Sequence, residues 1–227
     1  MLLSPDALEA LRGHLIVSCQ AYPGEPMRDP RTTAQMAASA VIGGAGAVRV
    51  QGLTDVQHTR AAVEVPVIGL WKDGHSGVFI TPTLRHALAV ANAGSHVVAI
   101  DGTRRERPDG LSLGQTVAGI HAESHALVMA DCGSFADAAA AVDAGADLIG
   151  TTLSGYSGER PKTSGPDLEL LAEIAAAGFD VPLIAEGRIH TPAQARQALD
   201  AGAFAVVVGT AITHPATITG WFSDALK

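Results

Sequence analysis

The sequence predicts an α/β fold of one architecture, an eight-stranded (β/α)8 TIM barrel spanning residues 1–227 as a single domain. Three observations carry this expectation. First, eight short apolar runs recur along the chain: Leu15–Cys19, Val48–Val50, Val67–Leu70, Val97–Ile100, Ala126–Ala130, Asp147–Gly150, Leu183–Ala185 and Ala205–Val208. Each is too short for a helix and most are rich in β-branched residues, the signature of parallel strands buried on both faces. Second, the segments AGSHVVAID, AGADLIGTT and AGAFAVVVGT begin at Ala93, Ala144 and Ala201, with an earlier relative, GGAGAVRV, at Gly43. Their spacing of roughly 50 residues is that of two strand–helix units with short loops. Third, VPVIGLWK and VPLIAEGR match each other and fall midway between members of that series. Four double units make eight strands, and a parallel sheet of eight βα units closes as a barrel. An open, doubly wound sheet is the alternative.

The elements follow in order. The first run, Leu15–Cys19, ends on Gln20, and the second carries Arg49 inside it. After the third, Thr81-Pro82 places a capping residue before a proline, a helix start. Ser134 is positioned to cap the alanine-rich stretch Ala138–Ala144, and Thr191-Pro192 repeats the first signal before the last run. Gly94, Gly145 and Gly202 each follow an alanine at a helix end, where a left-handed residue commonly stops a helix. The longest loop is Leu153–Gly165, of a length that often serves as a lid or binding loop.

Composition narrows the functional classes. Hydrophobic residues make up 47% and charged residues 17%, an ordinary globular balance. The net charge of −8 argues against a nucleic-acid partner, which calls for a basic stripe. No apolar run approaches the ~18 residues a membrane span requires. Asp6, Glu9 and Arg12 interrupt the N-terminal apolar character, so no signal peptide is expected. Cys19 and Cys132 form no metal-binding spacing and read as buried free thiols, which suits a reducing cytoplasm.

In such barrels the active site lies at the C-terminal ends of the strands. Polar residues collect there: Gln20, Arg49, Lys72, Asp101, Asp131, Thr151 with Thr152, Glu186, and Gly209 with Thr210. Lys72 reads either as a loop residue or as a catalytic amine, since a lysine near low-dielectric walls and other cations gives up its proton more easily. It would act as a base or form a Schiff base with a carbonyl. Glu186 reads either as a neutralising partner or as an acid–base group. The two roles are compatible if Arg49 holds Glu186 and leaves Lys72 free to lose its proton. Gly187, Arg188, Gly209 and Thr210 begin the loops that commonly hold a phosphate in these barrels through backbone N–H groups. Arg104, Arg105 and Arg107 read as mostly solvated. His121 and His125 lie before the fifth strand, at the far end of the barrel, and no metal site is expected. Trp71 and Trp221 read as packing residues.

The segments IVSCQ (16–20), VIG (67–69), FITPT (79–83), MAD (129–131), GTTLSGY (150–156), IAEGR (184–188) and VGTAIT (208–213) together closely resemble N-acetylmannosamine-6-phosphate 2-epimerases. The resemblance runs from about Leu15 to Phe222. It implies a barrel enzyme that interconverts N-acetylmannosamine 6-phosphate and N-acetylglucosamine 6-phosphate in sialic-acid breakdown, without metal or organic cofactor. It implies Lys72 and Glu186 as catalytic residues, and Gln20, Arg49, Asp131, Thr152, Gly187, Arg188 and Gly209 as substrate-binding ones. The partner is then a small phosphorylated N-acetylhexosamine, with no nucleic acid and no membrane; a homodimer is the assembly kept open. Three stretches depart from the pattern the resemblance leads one to expect: His214 stands where an arginine is expected, Gly102 where alanine is, and Val50-Gln51 where Ala-Asn is. A Schiff-base aldolase acting on a phosphorylated sugar and a non-catalytic phosphosugar-binding module are the competing readings.

Overall fold

A computed structural model describes residues 8–227; Asp6 lies outside them. Eight parallel strands close into a barrel in chain order: β1 (Leu15–Cys19), β2 (Ala47–Gln51), β3 (Val67–Leu70), β4 (Val97–Asp101), β5 (Leu127–Asp131), β6 (Leu148–Gly150), β7 (Leu183–Glu186) and β8 (Ala205–Val208). Closure is made by β1 against β8, with Leu15 opposite Val206 and Val17 opposite Val208. The outer layer comprises α1 (Pro30–Ile42), α2 (Leu53–Ala62), α3 (Leu84–Asn92), α4 (Leu113–Glu123), α5 (Phe135–Asp143), α6 (Leu168–Ala177) and α7 (Pro192–Asp200). Two helices follow β8, the four-residue α8 (Thr210–Thr213) and α9 (Pro215–Ala225).

The (β/α)8 expectation therefore holds, and all eight predicted runs are strands. Several strands extend beyond their apolar runs: Gln51, Asp101, Asp131 and Glu186 close their strands instead of following them. Ladder pairing overrides polarity there, as in the register Asp101 opposite Asp131.

Caps fix most helix starts. Asp29 accepts from the N–H groups of Arg31 and Thr32 ahead of α1, Ser112 and Gln115 form a reciprocal box on α4, and Ser134 and Thr191 cap α5 and α7 as expected. Gly94, Gly145 and Gly202 take φ of 107°, 85° and 102°, the left-handed stops the sequence calls for. One expected start is corrected. α3 is capped by Thr83, not Thr81. Thr81 is buried with φ of 46°; its hydroxyl donates to the Ala99 carbonyl at 2.7 Å and accepts from the Trp71 N–H at 3.1 Å. That hydroxyl ties the loop after β3 to β4 and is spent before the helix begins.

The barrel interior and the helix–sheet interface are separate cores, as strand alternation requires. Ile16, Ala47, Ile68, Leu70, Val97, Ala99, Met129, Leu148, Ile184, Ala205 and Val207 pack inside the barrel. The alternate residues face the helices, among them Val17, Val48, Val98, Val128, Ile149, Ala185 and Val206. Gly69 belongs to this outer set. A Cβ there would come within 2.0 Å of Ser95 Oγ, so only glycine admits the packing of that segment against β3. Both cysteines are free and buried, and burial pushes the Cys19 thiol up to about 12. Trp71 packs as expected, its ring edge-on to His86 at 4.5 Å, whereas Trp221 is exposed on α9.

The solvated reading of three arginines is corrected for Arg105 and Arg107, while Arg104 is half-exposed. Arg107 is buried and donates to the Asp101 carbonyl, Arg105 donates to the Asp101 carboxylate at 2.7 Å, and Arg104 bridges Asp137 and Glu159. Asp101 is thereby fully buried beneath its own loop at the end of β4. His121 pairs with Asp147 at 2.8 Å.

Candidate active site

Strand alternation selects the site residues. Counting in twos from the inward-facing Ile16, Ala47, Leu70, Met129, Leu148, Ile184 and Val207 reaches Gln20, Arg49, Lys72, Asp131, Thr152, Glu186 and Gly209. Every inward row thus runs from aliphatic side chains in the barrel to a polar group or glycine at its C-terminal end. A cavity of about 800 Å³ opens there. Gln20, Lys72, Thr152, Glu186, Gly187, Arg188, Gly209 and Thr210 line it.

Arg49 and Asp131 lie beneath that cavity and not on its wall, being 1% and 0% exposed. Both were expected to bind substrate, and the structure sets them one layer below the residues that line the cavity. The reason is their mutual pairing: Arg49 Nη1 and Nη2 donate to the two Asp131 carboxylate oxygens at 3.0 and 2.6 Å, a bidentate geometry that suits a planar guanidinium. Arg49 Nη1 also lies 2.9 Å from Glu186 Oε2. Burial works against the Arg49 charge, but Asp131 and Glu186 outweigh it and the guanidinium is held more firmly protonated than usual.

Glu186 ends β7, and Thr151 fixes its backbone by donating to its carbonyl at 3.0 Å and accepting from its N–H at 3.1 Å. Thr152 Oγ1 stands 2.9 Å from Glu186 Oε2 and 2.7 Å from Asp131 Oδ1. Burial raises the Glu186 pKa, with Asp131 adding to the rise and Arg49 opposing it.

Lys72 reaches the same cavity from the loop after β3. The loop doubles back so that Lys72 bridges Ile80, with the Asp73 N–H on the Phe79 carbonyl at 3.0 Å. Among the described residues no carboxylate lies within ion-pair distance of Lys72; its Nζ sits 5.8 Å from the centre of the Tyr22 ring. Burial lowers the Lys72 pKa, and the Arg49 charge lowers it further. The arrangement expected from sequence is therefore present: Arg49 holds Glu186 while Lys72 stays unpaired.

The loops after β7 and β8 form the opposite wall. Gly187 has φ of 121°, which only glycine adopts without strain, and Arg188 follows at φ of 55°. Among the described residues, the backbone N–H groups of Gly187, Arg188, Gly209 and Thr210 meet no acceptor of the chain. The Arg188 side chain donates to the Ser154 carbonyl at 2.8 Å, the Gly165 carbonyl at 3.1 Å and the Thr163 hydroxyl at 3.0 Å. It anchors the long loop 153–165 over the site. Gln20 donates to Ser18 Oγ at 2.8 Å and leaves its buried Oε1 without a partner, an acceptor available to a hydroxyl or amide N–H.

Several lining residues escape sequence reasoning. Tyr22 and Arg28 come from the loop after β1, and His190 from the loop after β7. Arg28 donates to Asp55 at 2.9 Å. The available signal was their position in βα loops, which all open on this end of the barrel. His214, where an arginine is expected, lines the cavity, contacts Thr217 at 2.6 Å and pairs with Glu25.

Comparison with known proteins adds a lineage. Residues 33–227 match the family model described as "Putative N-acetylmannosamine-6-phosphate epimerase". A Cutibacterium acnes protein named "Putative N-acetylmannosamine-6-phosphate 2-epimerase" is 62% identical over 221 residues, 97% of this chain and 96% of that protein. A protein of the same name from Caldanaerobacter subterraneus is 45% identical, across 98% of this chain and 94% of its own. A solved structure of the N-acetylmannosamine-6-phosphate 2-epimerase from Clostridium perfringens superposes with a TM-score of 0.91 at 38% identity, covering 96% and 95% of the two chains.

Proposed function

The chain belongs to the N-acetylmannosamine-6-phosphate epimerase family, and from that premise we propose that it interconverts N-acetylmannosamine 6-phosphate and N-acetylglucosamine 6-phosphate by inverting C2 of the open-chain sugar. One observation carries the mechanism: an unpaired, buried-side amine, Lys72, and a carboxyl with raised proton affinity, Glu186, border the same cavity.

Opening the sugar ring places C2 beside a carbonyl and makes its hydrogen acidic. Lys72, as the neutral amine, takes that proton; the C–H electron pair moves into the C1–C2 bond and the carbonyl oxygen gains negative charge. Glu186 gives its proton to the opposite face of C2 as the carbonyl reforms. The reverse direction exchanges the two roles. Arg49 and Asp131 act from beneath by fixing Glu186, and Gln20 Oε1 accepts a hydrogen from the substrate. The phosphate sits against the N–H groups of Gly187, Arg188, Gly209 and Thr210, while Thr152 stands beside Glu186 at the reacting end of the sugar. A positioned acid or base of this kind contributes roughly 10²–10⁴-fold.

No helix among the described residues is long and apolar enough to cross a membrane, and we place the reaction in the cytoplasm, where two buried free thiols persist. A homodimer is supported by α9, which buries none of its residues and exposes Trp221 and Phe222.

The test is to incubate the purified protein with N-acetylmannosamine 6-phosphate in D2O and follow C2 by NMR. The reading predicts N-acetylglucosamine 6-phosphate carrying deuterium at C2. Inversion with full retention of the original hydrogen would refute the proton-transfer mechanism, and no inversion would refute the function.

A further inference from the structure

We infer that Thr152 is a positioning residue that keeps Glu186 loaded with its proton until C2 is ready to receive it. The inference rests on the epimerase reading above and assigns a task to a side chain that the chemistry itself does not require.

The argument is a count of hydrogens. A threonine hydroxyl has one proton and two lone pairs. Thr152 Oγ1 lies between two carboxyl oxygens, 2.7 Å from Asp131 Oδ1 and 2.9 Å from Glu186 Oε2. Both distances are those of hydrogen bonds. One proton serves only one of them, so the second contact needs a proton from the other partner. Asp131 has the stronger claim on the threonine proton. It is fully buried, is held as a carboxylate by both Arg49 Nη groups, and is the nearer of the two. The Thr152 lone pair then faces Glu186 Oε2, and that contact is attractive only when Glu186 carries a hydrogen and donates it.

The other groups around Glu186 divide, with burial and Asp131 on the side of the acid and the charges of Arg49 and Lys72 on the side of the carboxylate. Arg49 Nη1 lies 2.9 Å from Oε2, yet its hydrogens are aimed at Asp131 Oδ1 and, at 3.7 Å, at Met129 Sδ. Arg49 therefore acts on Glu186 as a charge and not as a donor. From β3, Lys72 also favours the carboxylate; from β5, Asp131 favours the acid, as does burial, which is the largest influence. Arg28, Arg188, His190, His214 and Tyr22 line the wider cavity without contacting the carboxyl. The result is a directed chain in which Glu186 donates to Thr152, Thr152 to Asp131, and Arg49 to Asp131.

The same hydroxyl serves after the transfer. When Glu186 gives its proton to C2, an O–H bond breaks, a C–H bond forms, and the carboxyl becomes a carboxylate. Rotation about the Thr152 Cβ–Oγ bond then turns the threonine proton from Asp131 to Glu186. Asp131 keeps both Arg49 donors throughout.

The test is a ¹³C NMR titration of protein labelled at the glutamate side-chain carboxyl, with the Glu186 signal identified by its loss in Glu186→Gln. In the wild type the midpoint is expected above the ordinary carboxylate range. Thr152→Val removes the acceptor and is expected to lower the midpoint by about one pH unit, the worth of one hydrogen bond. Thr152→Ser is expected to restore both the midpoint and kcat. A midpoint that rises or stays in Thr152→Val would show that the hydroxyl donates to Glu186 or ignores it, and overturns the inference. If Thr152→Val does not fold, Thr152→Ala removes the same hydroxyl with a smaller side chain, and a midpoint there that rises or stays overturns the inference as well. Failure here with normal epimerisation by the wild type would leave the proposed function standing, whereas absent epimerisation would remove the function and leave the titration readable.

Discussion

Arg49 donates both Nη groups to Asp131 and lies against the Glu186 carboxyl at the floor of the cavity, and its side chain is 1% exposed. A buried charge of this kind is costly to strand: removing one partner of a buried pair costs about 3–5 kcal/mol. Arg49→Met leaves Asp131 facing the barrel interior with only Thr152 as a partner, and Glu186 without its cation. We expect a loss of stability of about that size in urea unfolding at neutral pH; a change under about 1 kcal/mol would show that the cluster reorganises freely. Arg49→Lys is expected to be damaging too, because an ammonium cannot reproduce the two parallel bonds to Asp131. The accounting extends to Lys72. Asp131 and Glu186 bring two negative charges, Arg49 and Lys72 two positive ones, and moving a proton from Lys72 to Glu186 leaves the sum at zero. The cluster can therefore hold the base and acid forms together with no change in net charge, as a reaction that takes one proton and returns one requires.

At the scale of elements, alternation along the strands accounts for most of what could be read from the chain. Eight apolar runs, the Ala-Gly repeat and the Val-Pro pair were sufficient for the barrel, and the polar residue at each run's end marked the mouth. Lys72, Thr152, Glu186 and the loop glycines Gly187 and Gly209, picked out on that basis, line one cavity. Arg49 was harder because its depth depends on Asp131, 82 positions away, and a local pattern carries no trace of that partner. Arg104 escaped for the same reason, its acceptors Asp137 and Glu159 being 33 and 55 positions away, whereas Arg105 and Arg107 fold back on Asp101, four and six positions before them, a loop path that apolar patterning does not register. Arg188 anchors loop 153–165, a use visible only once that loop has a path. The strand entrances carry a titration of their own. The Val67 N–H at the start of β3 donates to His96 Nδ1 at 3.0 Å, so that nitrogen must be unprotonated. Burial, with the Arg60 charge, lowers the His96 pKa from 6.5 to about 4. A depressed folded-state value means that the unfolded chain binds the proton first. The stability this bond adds is complete above pH 6.5 and is lost as pH falls through about 4. His96→Gln keeps an acceptor without the titration and should flatten the decline of unfolding free energy across that window. An unchanged slope would assign the decline to other groups.

The whole molecule sets a problem that the site has to solve. Its net charge is −8, and the proposed substrate is an anion. The compensation is local: Arg28, Lys72 and Arg188 line the cavity, and so do Gly187, Arg188, Gly209 and Thr210 of the loops after β7 and β8, whose N–H groups have no acceptor among the described residues. Closure of the barrel supplies the rest, because in the order β1 to β8 the third and seventh strands stand four places apart around one opening. The central claim is that Lys72 and Glu186 address opposite faces of C2. The most direct measurement is to incubate Lys72→Ala and Glu186→Gln separately with each epimer in D2O and follow the C2 hydrogen by NMR. The account predicts that inversion slows by at least roughly 10²–10⁴-fold in both variants, while each still exchanges the C2 hydrogen of one epimer only, and a different one in each variant. Near-normal inversion by either variant, or exchange of the same epimer by both, would contradict it.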